Sequence, residues 1–182
     1  MLHAGFTPEM KAVLSNLKGR CLESYECVSN RFGSCTYGNL RLNVDDIAID
    51  ISNEPKVFPF FGGEEDVAYF SCALVNQNES FKPYLKADTK RFKVNKSISQ
   101  VELLSDHIDV NHGEYQVDFD IALVLHLDDK ILMFARGIWF AEEIFIANND
   151  NYEAIFSRES LMESWSNDGD YEVKVTRTRT QL

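Results

Sequence analysis

Hydrophobic positions in this chain recur first with a helical period and then, for most of its length, with the period of a strand. Met10, Val13, Leu14 and Leu17 return at three- and four-residue spacing, which places them on one helix face. Thr7 stands where an N-cap hydroxyl is needed. Pro8 fills the first helical position, whose N–H has no partner in any helix, and Gly19 supplies a stop. The stretch predicts an N-terminal helix lying over a sheet.

Beyond Gly19 the period is two. Cys21 to Val28 predicts a strand with no clear inner face. Leu40, Leu42 and Val44, then Ile47, Ile49 and Ile51, predict two more, separated at Asp45 and Asp46 by a turn or bulge. Asn53, Glu54 and Pro55 read as a turn, and 56–61 as an edge strand because Pro59 cannot donate to a ladder. Gly62 and Gly63 form a tight loop before a buried strand at 66–75. The second half predicts strands at 98–104, 115–127 and 131–136, with turns at Asn111 to Gly113 and at Asp128 and Asp129, and its most apolar strand at 138–147. A last helix follows residues 148–150, with Ile155, Phe156, Leu161, Met162 and Trp165 on its apolar side and a break around Ser157 to Ser160. Tyr171, Val173 and Val175 begin a final strand that is expected to leave the core at Arg177 and Arg179.

Two segments share features in the same order. DIA occurs at 46–48 and 120–122, and paired acids follow at Glu64 and Glu65 and at Glu142 and Glu143. The offsets, 74 and 78, predict two similar β-rich repeats, 20–75 and 97–147, joined by a basic connector at 76–96. Short strands, hairpin turns and a helix at each end, without strand–helix–strand alternation, predict a single α+β domain over 1–182 that is mainly antiparallel sheet.

Charge adds a second pattern. The chain of 182 residues has a net charge of -11, unevenly placed. Residues 42–80 hold eight acids against one base, and 101–170 hold sixteen against three, whereas 81–100 hold six bases against one acid. A field of this sign repels nucleic-acid phosphates and draws basic partners. Lys82, Lys86, Lys90, Arg91, Lys93 and Lys96 between the acidic halves are expected to cover an acidic face of the same chain or of a dimer mate. Cys21, Cys27, Cys35 and Cys72 match no zinc spacing and are expected as free thiols. With no signal-like start and no apolar run approaching about 18 residues, the expectation is a cytoplasmic protein without a membrane or cofactor.

Candidate chemistry is sparse. Glu64, Glu65, Asp128, Asp129, Glu142 and Glu143 are the acids placed to meet a basic protein partner. Glu142 and Glu143 point to opposite faces of a strand, so only one of them can enter a buried site. His107, Asp109 and His112 are weak candidates for a divalent metal, His107 and Asp109 by facing the same way on a strand. His126, in an alternating strand, reads as a structural histidine. Phe60, Phe61, Trp139 and Phe140 are the aromatics that would line a small-ligand crevice. In general character the chain is similar to small acidic inhibitors and immunity-type proteins whose carboxylates engage a basic target. The functional expectation is a non-catalytic, acidic protein-interaction module; the alternatives are a metal-dependent or carboxylate-based hydrolase and a small-ligand sensor.

Overall fold

One strand organises the sheet. In the computed structural model, which describes residues 2–29, 34–60, 62–137, 140–167 and 171–182, β1 (Leu2–Ala4) and α1 (Pro8–Ser15) precede β2 (Cys21–Val28), β3 (Cys35–Tyr37), β4 (Asn39–Val44), β5 (Ile47–Phe60) and β6 (Gly63–Val75). The 22-residue β7 (Thr89–Val110) follows, then β8 (Tyr115–Leu127), β9 (Ile131–Arg136), β10 (Glu143–Ala147), α2 (Arg158–Asn167) and β11 (Val173–Gln181). The first half of β7 pairs with β2, and through it with β4, β5 and β6. Its second half pairs with β8 on one side and β11 on the other, and β8 leads to β9, β10 and β3. All these pairings are antiparallel; β1 alone among the described strands is parallel, against β8. Antiparallel sheet dominates, with two α-helices against it.

The sheet curls back on itself. A single residue, Gly38 at φ 70°, separates β3 from β4, and the Gly38 amide donates to the Glu142 carbonyl at 2.8 Å while its carbonyl accepts from Asn53 N–H. The far edge of one half thereby meets the middle of the other. Inside lies a core of Leu40, Leu42, Ile49, Ile51 and Phe70 facing Leu103, Leu123, Leu125 and Phe134, with Leu14 and Leu17 of the α1 region set into it. Each such fully buried side chain contributes roughly 1.5–3 kcal/mol. A second core on the outer face of the β7–β8 half, including Ile108, Val117, Phe119 and Met133, is covered by Tyr152 and Leu161. Among the described residues no helix is long and apolar enough to cross a membrane.

The N-terminal helix starts as its caps dictate, with the Thr7 hydroxyl accepting from Met10 N–H at 3.3 Å. The turn at Asp45 and Asp46, β8 and β9 also fall where the alternation places them. Several expectations do not hold. No turn occurs at Asn53 to Pro55: β5 runs on to Phe60, because beyond Ser52 β6 is its one pairing partner and prolines remove no bond on an open edge. The irregular connector ends at residue 88. Lys90, Arg91, Lys93 and Lys96 belong to β7, whose Phe92 and Val94 alternate inward against the core. The strand expected at 138–147 begins at Glu143; Ile138 and Trp139 lie outside the described residues. DIA 46–48 spans the turn into β5, while DIA 120–122 sits at an irregularity within β8, so the two copies occupy different local structures. β11 does not leave the core at Arg177. That guanidinium is buried because Asp106 meets it with two bonds of 2.8 Å.

Candidate functional site

The six acids singled out in the sequence stand at three separate places. Glu64 and Glu65 are exposed at the start of β6, beside the β5–β6 hairpin end that Tyr115 holds through the Pro59 carbonyl at 3.0 Å. Asp128 and Asp129 follow the opposite end of the 13-residue β8. These two are engaged within the chain: Asp128 accepts from Ser97 N–H at 3.1 Å, and Asp129 meets Lys96 at 2.8 Å. That bond and the lysine's charge hold the Asp129 carboxyl below its ordinary range. Glu142 and Glu143 lie at the seam where the curled sheet meets itself.

The seam is built for rigidity. The Asn53 side-chain amide donates to both the Ala141 and the Glu143 carbonyls at 3.0 Å, fixing the backbone on either side of Glu142. Glu143 turns toward β3, where the Tyr37 hydroxyl donates to it at 3.1 Å, and this bond with the carboxylate's charge pushes the Tyr37 hydroxyl up. Glu142 lies close enough to Tyr84 for its charge to push that hydroxyl up, with Glu54 adding to the effect. Tyr84 is positioned from two directions. Its amide donates to the Asn39 side chain at 2.9 Å, and its ring lies directly over Gly38, where an added Cβ would come within 2.3 Å. Tyr84, Leu85 and Phe140 are exposed by 42%, 44% and 58%, so large apolar side chains and carboxylates meet solvent together here.

The metal candidates do not converge. Asp109 accepts from Gly113 N–H and from Gln116, His112 reaches Glu172 at 3.1 Å, and His107 bonds Asp118 at 2.7 Å. Among the described residues no group of three or more His, Cys, Asp or Glu could hold a metal ion. His126 is a structural histidine, bonded to Glu102 at 2.8 Å. Of the aromatics expected in a ligand crevice, Phe61, Trp139 and the Phe60 side chain lie outside the described residues, and Phe140 is on the surface. A cleft does exist elsewhere, beside His107, and its lining was not foreseen: His3, Lys11, Lys56 and Tyr69 join Asp118 and Asp120 there. The four cysteines are free thiols. Burial pushes Cys72 up to about 12 and, with the Glu143 charge added, Cys35 up to about 11.

Comparison with protein-family models, with curated proteins and with solved structures gives no match for this chain.

Proposed function

We propose that the protein is a non-catalytic interaction module that docks a basic protein partner on the seam surface formed by Tyr84, Leu85 and Phe140 with Glu142 and Glu54. The observation that supports this reading is the fixed placement of exposed aromatic and aliphatic groups beside carboxylates. Arginine fits such a surface best, because its planar guanidinium stacks on a ring while donating to a carboxylate. Rigid aromatic anchors give affinity because little side-chain freedom is lost on binding. The net charge of -11 adds long-range attraction for a basic partner and repulsion of nucleic acid. Four free thiols accord with a cytoplasmic setting.

The test is capture of a partner by the immobilised protein under rising salt, repeated with Glu142→Lys, Tyr84→Ala and the pair Glu64→Lys, Glu65→Lys. A hot-spot side chain carries about 2 kcal/mol or more, so either seam variant is expected to weaken capture by roughly 30-fold, with the hairpin variant near wild type. Equal capture by wild type and both seam variants would remove the seam as the docking surface. Loss in the hairpin variant alone would move it to β6.

A further inference from the structure

We infer that the cleft at the open end of the curled sheet is a binding site for a small molecule carrying a carboxylate or phosphate group, independent of the seam surface. The cleft has a volume of about 740 Å³. Its floor is the continuation of the inner face of β7 and β8. Leu103 and Leu123 pair across that face inside the core, and one step further along, Ser105 pairs with Asp120 and His107 with Asp118. Its walls are the β1–α1 junction, with His3 and Lys11, and the β5–β6 hairpin, with Lys56 and Tyr69.

The ligand class follows from which polar groups are already engaged. Every carboxylate oxygen on the floor has a donor. Asp118 receives His107 on Oδ1 at 2.7 Å and His3 on Oδ2 at 2.9 Å. Asp120 receives Ser105 on Oδ1, and on Oδ2 both Phe6 N–H at 2.8 Å and Lys11 Nζ at 3.1 Å. The Tyr69 hydroxyl is likewise engaged, donating to the Gly5 carbonyl at 2.8 Å. The cations retain donor capacity. An ammonium has three N–H groups, and the Lys11 side chain, still 41% exposed, uses one of them on Asp120. Lys56 rests 4.3 Å from the centre of the Tyr69 ring and 5.5 Å from that of Phe58, and among the described residues no carboxylate lies within ion-pair distance of it.

An incoming cation would find the acceptors occupied, whereas an incoming oxyanion meets two ammonium groups. Lys56 is placed to make the direct contact, held on aromatic faces that orient it without neutralising it. Lys11 is placed to bridge the ligand to Asp120. Lys11 and Lys56 balance Asp118 and Asp120, and Asp106, which also lines the cleft, is matched by Arg177, so the cleft lacks the excess negative charge of the whole chain, -11. That overall charge opposes an anionic membrane surface and favours a free small molecule that enters the recess.

The experiment is titration of the whole protein with inorganic phosphate, with malonate, succinate and glutarate, and with putrescine as a cationic control. Binding is followed by calorimetry and by amide shifts of His3, Phe6, Lys56 and His107. At least one anion is expected to saturate, with shifts confined to the cleft, and Lys56→Met is expected to weaken it tenfold or more while leaving the melting temperature of the free protein within a degree or two. Phosphate alone saturating assigns a phosphate ligand, and a chain-length optimum among the diacids assigns a carboxylate. Absence of saturation by every anion, saturation by putrescine instead, or equal affinity in Lys56→Met would overturn the assignment. None of these outcomes depends on a protein partner.

Discussion

Asp106→Asn is the substitution whose cost can best be worked from the packing. The Asp106 side chain is 2% exposed and that of Arg177 8%, and the two are joined by parallel bonds of 2.8 Å. The guanidinium also lies 4.6 Å from the centre of the Tyr152 ring and 2.9 Å from Glu153. Breaking a buried ion pair from one side costs about 3–5 kcal/mol, because the surviving charge stays in a poorly solvating environment. Glu153 remains beside Arg177 and offsets part of the loss, which puts the expected cost near 3 kcal/mol. For a domain of this size each kcal/mol moves the melting temperature by about 2–4 °C, so a fall of roughly 6–12 °C follows. Asp106→Leu with Arg177→Met removes both charges and keeps apolar volume between β7, β11 and Tyr152. It should be within about 1 kcal/mol of wild type, since such replacements are often neutral. Urea unfolding of Asp106→Leu alone, Arg177→Met alone and the double variant gives the coupling energy directly. A cost below about 1 kcal/mol for Asp106→Asn, or a double variant as unstable as the sum of the singles, would refute the reasoning.

Two further outcomes are expected. Burial alone would raise the Glu102 carboxyl, but the bond from His126 and the Arg179 charge outweigh it, and the group ends below its ordinary 4.5. The Arg179 bond likewise lowers Asp150 below 3.8. A depressed folded-state pKa contributes stability that is complete above the unfolded value and is lost as pH falls through the folded one. Stability should therefore decline on acidification below 4.5, and Arg179→Met should flatten that decline in denaturant titrations at stepped pH; an unchanged acid limb would contradict it. The second outcome concerns Gly38→Ala and Gly62→Ala, which both force an L side chain into a left-handed backbone, at φ 70° and 82°, at a cost of about 1–2 kcal/mol. An added Cβ meets nothing within 4 Å at Gly62 but comes within 2.3 Å of Tyr84 at Gly38. Gly38→Ala should thus lose more stability than Gly62→Ala and also weaken partner capture, and equal losses would mean that Tyr84 shifts freely.

Much of the fold was legible because it obeys local rules. Thr7 and Pro8 specify where α1 begins, although it ends at Ser15, ahead of Gly19, and the alternation through Leu40, Leu42 and Val44 places β4 with its turn at Asp45 and Asp46. Failures occurred where a tertiary partner overrides a local signal. Pro55 breaks a strand only if its missing N–H faces a neighbour, and which edge of β5 stands open is decided by β4 ending its pairing at Ser52. The lysine-rich run near residue 90 reads as a solvated linker until Phe92 is stacked on Tyr25, 4.9 Å between ring centres, and thereby fixed to the core. Arg177 reads as an exit from the core because its neutralising partner, Asp106, lies 71 positions away in the chain.

The two proposed surfaces share a structural cause that explains why period-two reading misses them. In β8, simple alternation groups Val117, Phe119, Ile121, Leu123 and Leu125 on one face, and sends Asp118 and Asp120 to the other. The register shift that pairs Leu104 with Ala122 and Ser105 with Asp120 skips Ile121. A skipped residue exchanges the faces of everything beyond it. Ile121 and Ala122 therefore both join the outer core, and Asp118 and Asp120 come round beneath Leu123, where His3, Lys11 and His107 reach them. Gly38 does the corresponding work at the seam: its left-handed turn sends one run of chain into two pairings, β3 with β10 and β4 with β5, and leaves the clearance on which Tyr84 sits. A bulge and a left-handed glycine each interrupt ladder bonding, so each is tolerated where the interruption is put to use. In this chain the one at Ile121 turns the inner face of a core into a polar floor, and the one at Gly38 gives an exposed tyrosine a fixed seat beside Glu142.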